Sequence, residues 1–421
     1  TQYLGFKVDS GEYKVMGLAP YGEPRYVNKI KKHIVSYNAK GEIKLHLEKF
    51  DFLNGNKMIN KKFENVFGKP RLFPGEKLEQ FHMDIAKSIQ IVIEEIIHNV
   101  VSYAIKLTSC RNLVMAGGVA LNCVNNGKLL KSGLIDKLWV QPCSGDAGGA
   151  LGAALITNAT VFETKRKINI NDSQNGSYLG PSFTSKEIQE VLNSYNFVYS
   201  TYKPNNMIIE VAKQLSLGKV IGLFQGRMEY GPRALGARSI IADPRCKDMQ
   251  SRLNLKIKFR ESFRPFAPMV LEESYTDWFE EIGEGSPYML LTTKVSKNKL
   301  INLDNKERSK SGFAKLQSTR SLIPAVTHVD NSARIQTVSK DRNKLVYKLL
   351  KAFENKTGCP ILINTSFNIR GEPIVCNPLD ALRCFMNTNM DMLVIENYLL
   401  FKEKQSDQLV DKNFKDYLKN G

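Results

Sequence analysis

Hydrophobic and polar positions follow two periods along this chain. Residues 82–107 (HMDIAKSIQIVIEEIIHNVVSYAIKL) place Ile85, Ile89, Val92, Ile93, Ile96 and Val100 on one helical stripe, which predicts a long packed helix. Residues 112–116 read as a short buried strand ending at Gly117-Gly118. Residues 137–141 read as another, followed by the loop SGDAGG (144–149) and a small-residue helix through Ala154. Further strands are expected at 219–224, 239–242, 360–364 and 392–396. Asn377 before Pro378 marks a capped helix start. Strand-like and helix-like runs in alternation predict an α/β architecture. The polar stretch 164–177 (TKRKININDSQNGS) reads as a linker, giving units at 1–170 and 171–421. Residues 293–333, rich in Lys, Ser and Asn and weakly periodic, read as a surface insertion rather than a mobile lid.

Composition narrows the class. At 421 residues, 42% hydrophobic and 24% charged, the chain is long enough for two or three folded domains and excludes disorder. Seven cysteines without a CxxC pair exclude a disulfide scaffold and suit a reducing, cytoplasmic setting. No apolar run approaches the eighteen residues or so of a membrane span. The opening TQYLGFKVDS has neither a signal-peptide pattern nor an initiator Met, and is expected to lie inside a longer product.

The net charge of +18 comes from 60 basic and 42 acidic residues, and its distribution says more than its size. Lysines are dispersed, as on a solvated surface, so a nucleic-acid partner is not expected. Of 17 arginines, seven (Arg227, Arg233, Arg238, Arg245, Arg252, Arg260, Arg264) fall between 227 and 264. Arg offers a rigid fork to phosphate or carboxylate, so this concentration points to anion recognition.

Four stretches carry candidate chemistry. In VMAGGVALNCVNN (114–126) two glycines follow a strand, where backbone N–H groups can approach a phosphate or adenine; a tight turn is the alternative. Asp146 in the glycine-rich loop after the next strand can hold a divalent metal or serve as a helix cap. Residues 225–266 place Arg227, Glu229, Arg233 and Arg238 among Gly226, Gly231 and Gly236, then Lys258, Arg260, Glu261 and Arg264, interleaved with Tyr230, Phe263 and Phe266. Cations among glycines and aromatics suit a buried polyanion site. Asn364-Thr365-Ser366-Phe367-Asn368 at a strand end, and Arg334, add hydrogen-bond donors and one more cation. P-loop, zincin and α/β-hydrolase signatures are missing, and the five histidines lack metal-ligand spacing.

In these residues the chain resembles the ATP-dependent O-carbamoyltransferases of nodulation-factor and antibiotic biosynthesis. The resemblance rests on EYKVMGLAPYG (12–22), GGVALN (117–122), SGDAGGALGAAL (144–155), YGPRALGARSI (230–240), KFRESFRPFAP (258–268), SARIQTV (332–338) and NTSFNIRGEPIV (364–375). It implies a partial ASKHA-type (sugar kinase/heat-shock ATPase) domain followed by a YrdC-like α/β domain. It also implies two steps: carbamoyl adenylate formed from carbamoyl phosphate and ATP, then carbamoyl transfer to an acceptor hydroxyl of a sugar or secondary metabolite. Carried over by motif, Arg233, Lys258, Arg264, Arg334, Ser366 and Asn368 bind carbamoyl phosphate and the ATP phosphates, with Arg227 beside them. Gly117, Gly118, Asn122 and Gly145 cradle the adenylate. Asp146 is implied as ligand to a divalent metal, Fe or similar, beside the Mg that accompanies ATP. The family's HxxH-bearing N-terminal stretch has no counterpart here, so a longer product is expected to supply it, the alternatives being a separate chain that does so or loss of the transfer step. A homodimer stays open, as do a threonylcarbamoyl-type tRNA-modifying enzyme and a non-catalytic nucleotide-binding subunit.

Overall fold

A computed structural model describes residues 1–165, 167, 172–407 and 409–411. Residues 166 and 168–171 of the expected linker lie outside the described residues. The strands, in chain order, are β1 (Val35–Tyr37), β2 (Ile43–Leu45), β3 (Asn112–Met115), β4 (Lys137–Val140), β5 (Ser200–Thr201), β6 (Ile221–Phe224), β7 (Arg238–Ala242), β8 (Ala267–Leu271), β9 (Leu291–Lys294), β10 (Ser332–Val338), β11 (Ile361–Ser366), β12 (Met392–Ile395) and β13 (Tyr398–Phe401). The fold is mixed α/β, dominated by a nine-stranded sheet of order β5-β13-β12-β6-β7-β11-β8-β10-β9. Its interior strands β6, β7, β8 and β12 are buried at every position, which is why β6, β8 and β12 read as continuous apolar runs rather than alternating ones.

The N-terminal part is built on the helix Gln80–Thr108, the long helix that the apolar stripe predicts. Its first half packs with Leu18, Tyr21, Ile30 and Tyr3 in a separate core. The predicted cap at Asn377 forms reciprocally with Asp380. The helix Lys344–Thr357 ends in Gly358, whose φ of 73° satisfies a left-handed C-cap.

Two expectations are corrected. The strands β3 and β4 are not buried: among the described residues they pair only with each other, in parallel, and leave Val114 74% and Trp139 44% exposed. The following helix, Gly148–Thr160, has no buried residue despite Leu155 and Ile156. Short apolar runs look alike in a covered and a bare sheet, so sequence pattern alone does not separate them. Nor is the stretch 293–333 a surface insertion. Ile323, Ala325, Val326 and His328 are buried, and Phe313 stacks on Phe263 with ring centroids 5.5 Å apart. Phe313 also meets Tyr21 edge-on at 5.3 Å, so this segment joins the two cores. Its few anchors are irregularly spaced among lysines and serines, which hides them from a periodicity reading.

The junction between the parts is close-packed. A Cβ at Gly127 would lie 2.1 Å from the Thr292 carbonyl oxygen, so the helix Cys123–Lys131 meets β9 at backbone distance. Asn126 Nδ2 donates to the Leu290 carbonyl, and Lys131 pairs with Glu280 across the same seam.

Candidate functional site

Three loops at the strand ends bring the cations together. The first, residues 225–237, joins antiparallel neighbours β6 and β7 and is closed at its base by Gln225 N–H donating to Ala237 O at 2.9 Å. Buried amides from two other strands hold its carbonyls: Asn364 Nδ2 donates to Ala234 O at 2.9 Å, and Gln336 Nε2 donates to Leu235 O at 2.9 Å. Tyr178 adds a third grip through its hydroxyl on the Leu235 carbonyl. Arg233 rises from this loop with its Nε buried and without a hydrogen-bond partner.

The second loop follows the helix Met249–Lys256. Asn254 is fully buried and organises the loop by donating to the carbonyls of Ser262 and Arg264 while accepting from Arg260 Nε at 2.7 Å. The Arg260 guanidinium then lies 4.5 Å over the Phe266 ring. Arg264 sits 4.6 Å over the ring of Tyr13, a residue from the N-terminal part. Arg334 enters from β10, in register with Thr292.

The electrostatics show that these four arginines share one neighbourhood. Burial, then repulsion from Arg334, pushes the Arg233 guanidinium down to about 9, and Arg264 repels it as well. Burial, then Arg264, drives Arg260 well below the arginine range, with Arg334 adding to it. Arg264 is lowered by burial too, opposed by Tyr13 and Glu261. Among the described residues the carboxylate ion-paired to this group is Glu261, 3.7 Å from Arg264 and shared with Lys14 at 2.9 Å. Four cations with one shared counter-charge, partly shielded from water, form a site that an incoming polyanion would relieve.

Lys258 lies beside them on the second loop and reaches into the third, the loop after β11. It is 3% exposed, and its ammonium donates to Ser366 O (2.7 Å), Ser366 Oγ (3.3 Å), Asn368 O (2.7 Å) and Asn368 Oδ1 (2.6 Å). Burial, then Arg260, lowers its pKa well below the usual lysine value. Ser366 Oγ donates to Asn368 Oδ1 at 2.7 Å, completing a small polar knot.

The glycine loops form a second, adjoining surface. Gly117 and Gly118 follow β3, Gly145 and Asp146 follow β4, and Gly117 N–H donates to Ser144 O at 2.7 Å, so the loops lie side by side. Ends of parallel strands are where open α/β sheets accept nucleotides. Gly117 has a φ of 98°, and a Cβ at Gly117, Gly118 or Gly145 would meet nothing within 4 Å, so a ligand can reach the backbone there. Asn122 caps the next helix through the Asn125 N–H and exchanges hydrogen bonds with the Gln90 amide. Tyr230, three residues before Arg233, donates its hydroxyl to Ala147 O at 2.7 Å, which brings the arginine-bearing loop onto the Asp146 loop.

Two carried-over residues stand apart. Arg227 is exposed and donates to the Leu179 carbonyl at 3.1 Å. Asp146 is exposed as well. Among the described residues no three His, Cys, Asp or Glu side chains come together to hold a metal ion at Asp146 or elsewhere, and no step is assigned to one. The clustered arginines also divide. Arg238 is fully buried and spends its guanidinium on the carbonyls of Gln225, Ala237, Pro181 and Gly226, Arg245 pairs with Asp243, and Arg252 pairs with Asp391. These three hold the fold. Tyr13 and Lys14 were not candidates in the sequence reading; their place in the EYKVMGLAPYG motif was the available signal.

Comparison with known proteins places this geometry in a family. A family model for the carbamoyltransferase N-terminus matches residues 1–155, and one for the carbamoyltransferase C-terminus matches residues 212–402. The chain is 50% identical to an uncharacterized protein of Synechocystis sp. over 99% of its own length and 68% of that protein. It is 36% identical to the nodulation protein NolO of Bradyrhizobium diazoefficiens over 97% of its length and 68% of that protein. It is 35% identical to the nodulation protein NolNO of Sinorhizobium fredii over 97% of its length and 55% of that protein. The chain thus spans between about half and two thirds of the length of these relatives. With both family models matched in order and the arginine, glycine and asparagine motifs converging on one junction, the chain belongs to the carbamoyltransferase family.

Proposed function

We propose that the chain forms carbamoyl adenylate from carbamoyl phosphate and ATP, and that the carbamoyl group passes to an acceptor hydroxyl of a small molecule, a sugar or secondary metabolite. The observation that carries this reading is the group of Arg233, Arg260, Arg264 and Arg334, partly shielded from water with one shared carboxylate among the described residues. In the first step carbamoyl phosphate and water yield carbamate and phosphate. Carbamate oxygen then attacks the α-phosphorus of ATP, and the bond to the pyrophosphate oxygen breaks. Negative charge accumulates on phosphoryl oxygens in both events, and forked cations set in advance stabilise it without rearranging. Lys258, Ser366 and Asn368 supply the adjoining donors, and an arriving phosphate competes for the ammonium they share.

The glycine surface at Gly117, Gly118, Asn122 and Gly145 receives the adenylate, next to the arginine-bearing loop that Tyr230 ties to Ala147. Magnesium enters as part of the ATP complex. The bare helix Gly148–Thr160 and the two-stranded sheet β3-β4 are covered by further protein, in the same product or a separate chain, before transfer to an acceptor is efficient. Among the described residues no helix is long and apolar enough to cross a membrane.

Release of pyrophosphate from ATP, measured with and without carbamoyl phosphate, tests the reading. Dependence on carbamoyl phosphate is expected, with loss of at least about a hundredfold in Arg233→Ala, the order found when a pre-set transition-state donor is removed. Turnover unaffected by that substitution would refute the anion-site assignment.

A further inference from the structure

Residues 225–237 carry Arg233, yet beyond the closing bond at their base they form no strand ladder, so their backbone groups need other partners. Met228 and Tyr230 bond through their backbone to Ser177, Gly180 and Pro181, and Glu229 supplies partners for the segment after Arg233. It is 5% exposed, and its carboxylate turns back into the loop, where Oε1 accepts the N–H groups of Leu235 (2.6 Å), Ala237 (2.7 Å) and Arg238 (3.3 Å). Its Oε2 is buried without a hydrogen-bond partner. The neighbouring guanidinium of Arg238 hydrogen-bonds to backbone carbonyls, and its positive charge nonetheless lies close enough to interact with Glu229. The segment just after Arg233 is therefore gripped on two sides. Its N–H groups point to Glu229, and its carbonyls at Ala234 and Leu235 point to Asn364, Gln336 and Tyr178.

We propose that Glu229 is a positioning residue for Arg233: its carboxylate sets the loop so that the guanidinium stands among the other arginines before an anion arrives. The inference rests on the anion-site reading of that cluster. Arg334 and Arg264 repel Arg233, and among the described residues its buried Nε has no hydrogen-bond partner, so no bond at that nitrogen keeps the side chain there. Left to itself the loop would relax outward. Burial pushes the Glu229 carboxyl up in pKa and the N–H groups of Ala237, Leu235 and Arg238 oppose that shift; the same three bonds oppose the motion of the loop, and an anion then finds donors whose cost of assembly is already met in the fold.

The test uses the full chain with Glu229→Gln, Glu229→Ala and Arg233→Ala, inorganic pyrophosphate as probe, and calorimetry at a temperature where circular dichroism shows each variant folded. Phenylglyoxal labelling with peptide mapping reads the state of each arginine. Glu229→Gln keeps an acceptor oxygen but cannot carry the charge, so it is expected to weaken pyrophosphate binding by roughly five- to twentyfold, the difference between a charge-assisted and a neutral hydrogen bond. It should also raise labelling at Arg233 while leaving Arg245 and Arg252 unchanged, which a general loss of stability would not do. Glu229→Ala should approach Arg233→Ala; if it does not fold, the Gln variant decides. Binding within twofold of wild type together with unchanged Arg233 labelling in Glu229→Gln overturns the proposal. Failure of the wild-type chain to bind pyrophosphate overturns the anion-site reading instead, and the Arg233 labelling then decides the role of Glu229 by itself.

Discussion

The Lys258 ammonium donates to Asn368 Oδ1 at 2.6 Å while also holding Ser366, so one buried cation fastens the loop after β11 to the loop that carries Arg260 and Arg264. Burial and the repulsion of Arg260 disfavour the charged form, and four oxygen contacts offset that cost. Lys258→Met removes the donor and leaves these oxygens unsatisfied in a closed space, which costs about 1–3 kcal/mol for each group that water cannot reach. We expect a lower midpoint in urea unfolding and a loss of pyrophosphate affinity. An unchanged midpoint would show that the ammonium does not hold the loop.

Tyr13 tests whether the N-terminal part contributes to the cation site. Its ring lies 4.6 Å from the Arg264 guanidinium, and that contact orients the cation toward its neighbours. Removal of a cation–π contact costs about 0.5–2 kcal/mol, so Tyr13→Ala should weaken pyrophosphate binding by about two- to thirtyfold. Tyr13→Phe keeps the ring and should change the affinity less. Equal affinities for wild type and Tyr13→Ala, read by calorimetry, would assign the ring to packing only.

A pH dependence of stability follows from Lys402, which donates to the Phe385 carbonyl and lies over the Phe385 ring. Burial lowers its pKa from 10.5 to about 8. Between these values the unfolded chain keeps the proton that the folded chain has lost, so the unfolded state binds more protons and stability rises with pH across that window. The contribution is on the order of 3 kcal/mol at most, taking 1.36 kcal/mol for each pKa unit. Urea midpoints at pH 7.5 and 10 should therefore differ less in Lys402→Met than in wild type; equal pH dependence in both would remove Lys402 as the cause.

Much of the fold was readable because its signals are local. The stripe from Ile85 to Val100 and the Asn377-Pro378 start depend on residues a turn or two apart, and both form as expected. The exposure of β3 and the packing of Phe313 were not readable, since each depends on what arrives from elsewhere in the chain. The arginine run shows the same division within one motif. Arg233, Arg260 and Arg264 meet, whereas Arg238, Arg245 and Arg252 turn to backbone carbonyls or carboxylates, although all six look alike in the sequence.

By itself, then, the sequence determined where helices and strands begin, which residue types could bind an anion, and which family's motifs run along the chain. Only the tertiary structure decided which arginines lack a counter-charge, that Asn364, Gln336 and Glu229 hold the loop of Arg233, and that Tyr13 closes over Arg264 from the other part. The physical reason is range. Helical periodicity and capping act over a few residues, whereas repulsion among buried cations and the matching of buried donors to acceptors exist only once distant strands are paired.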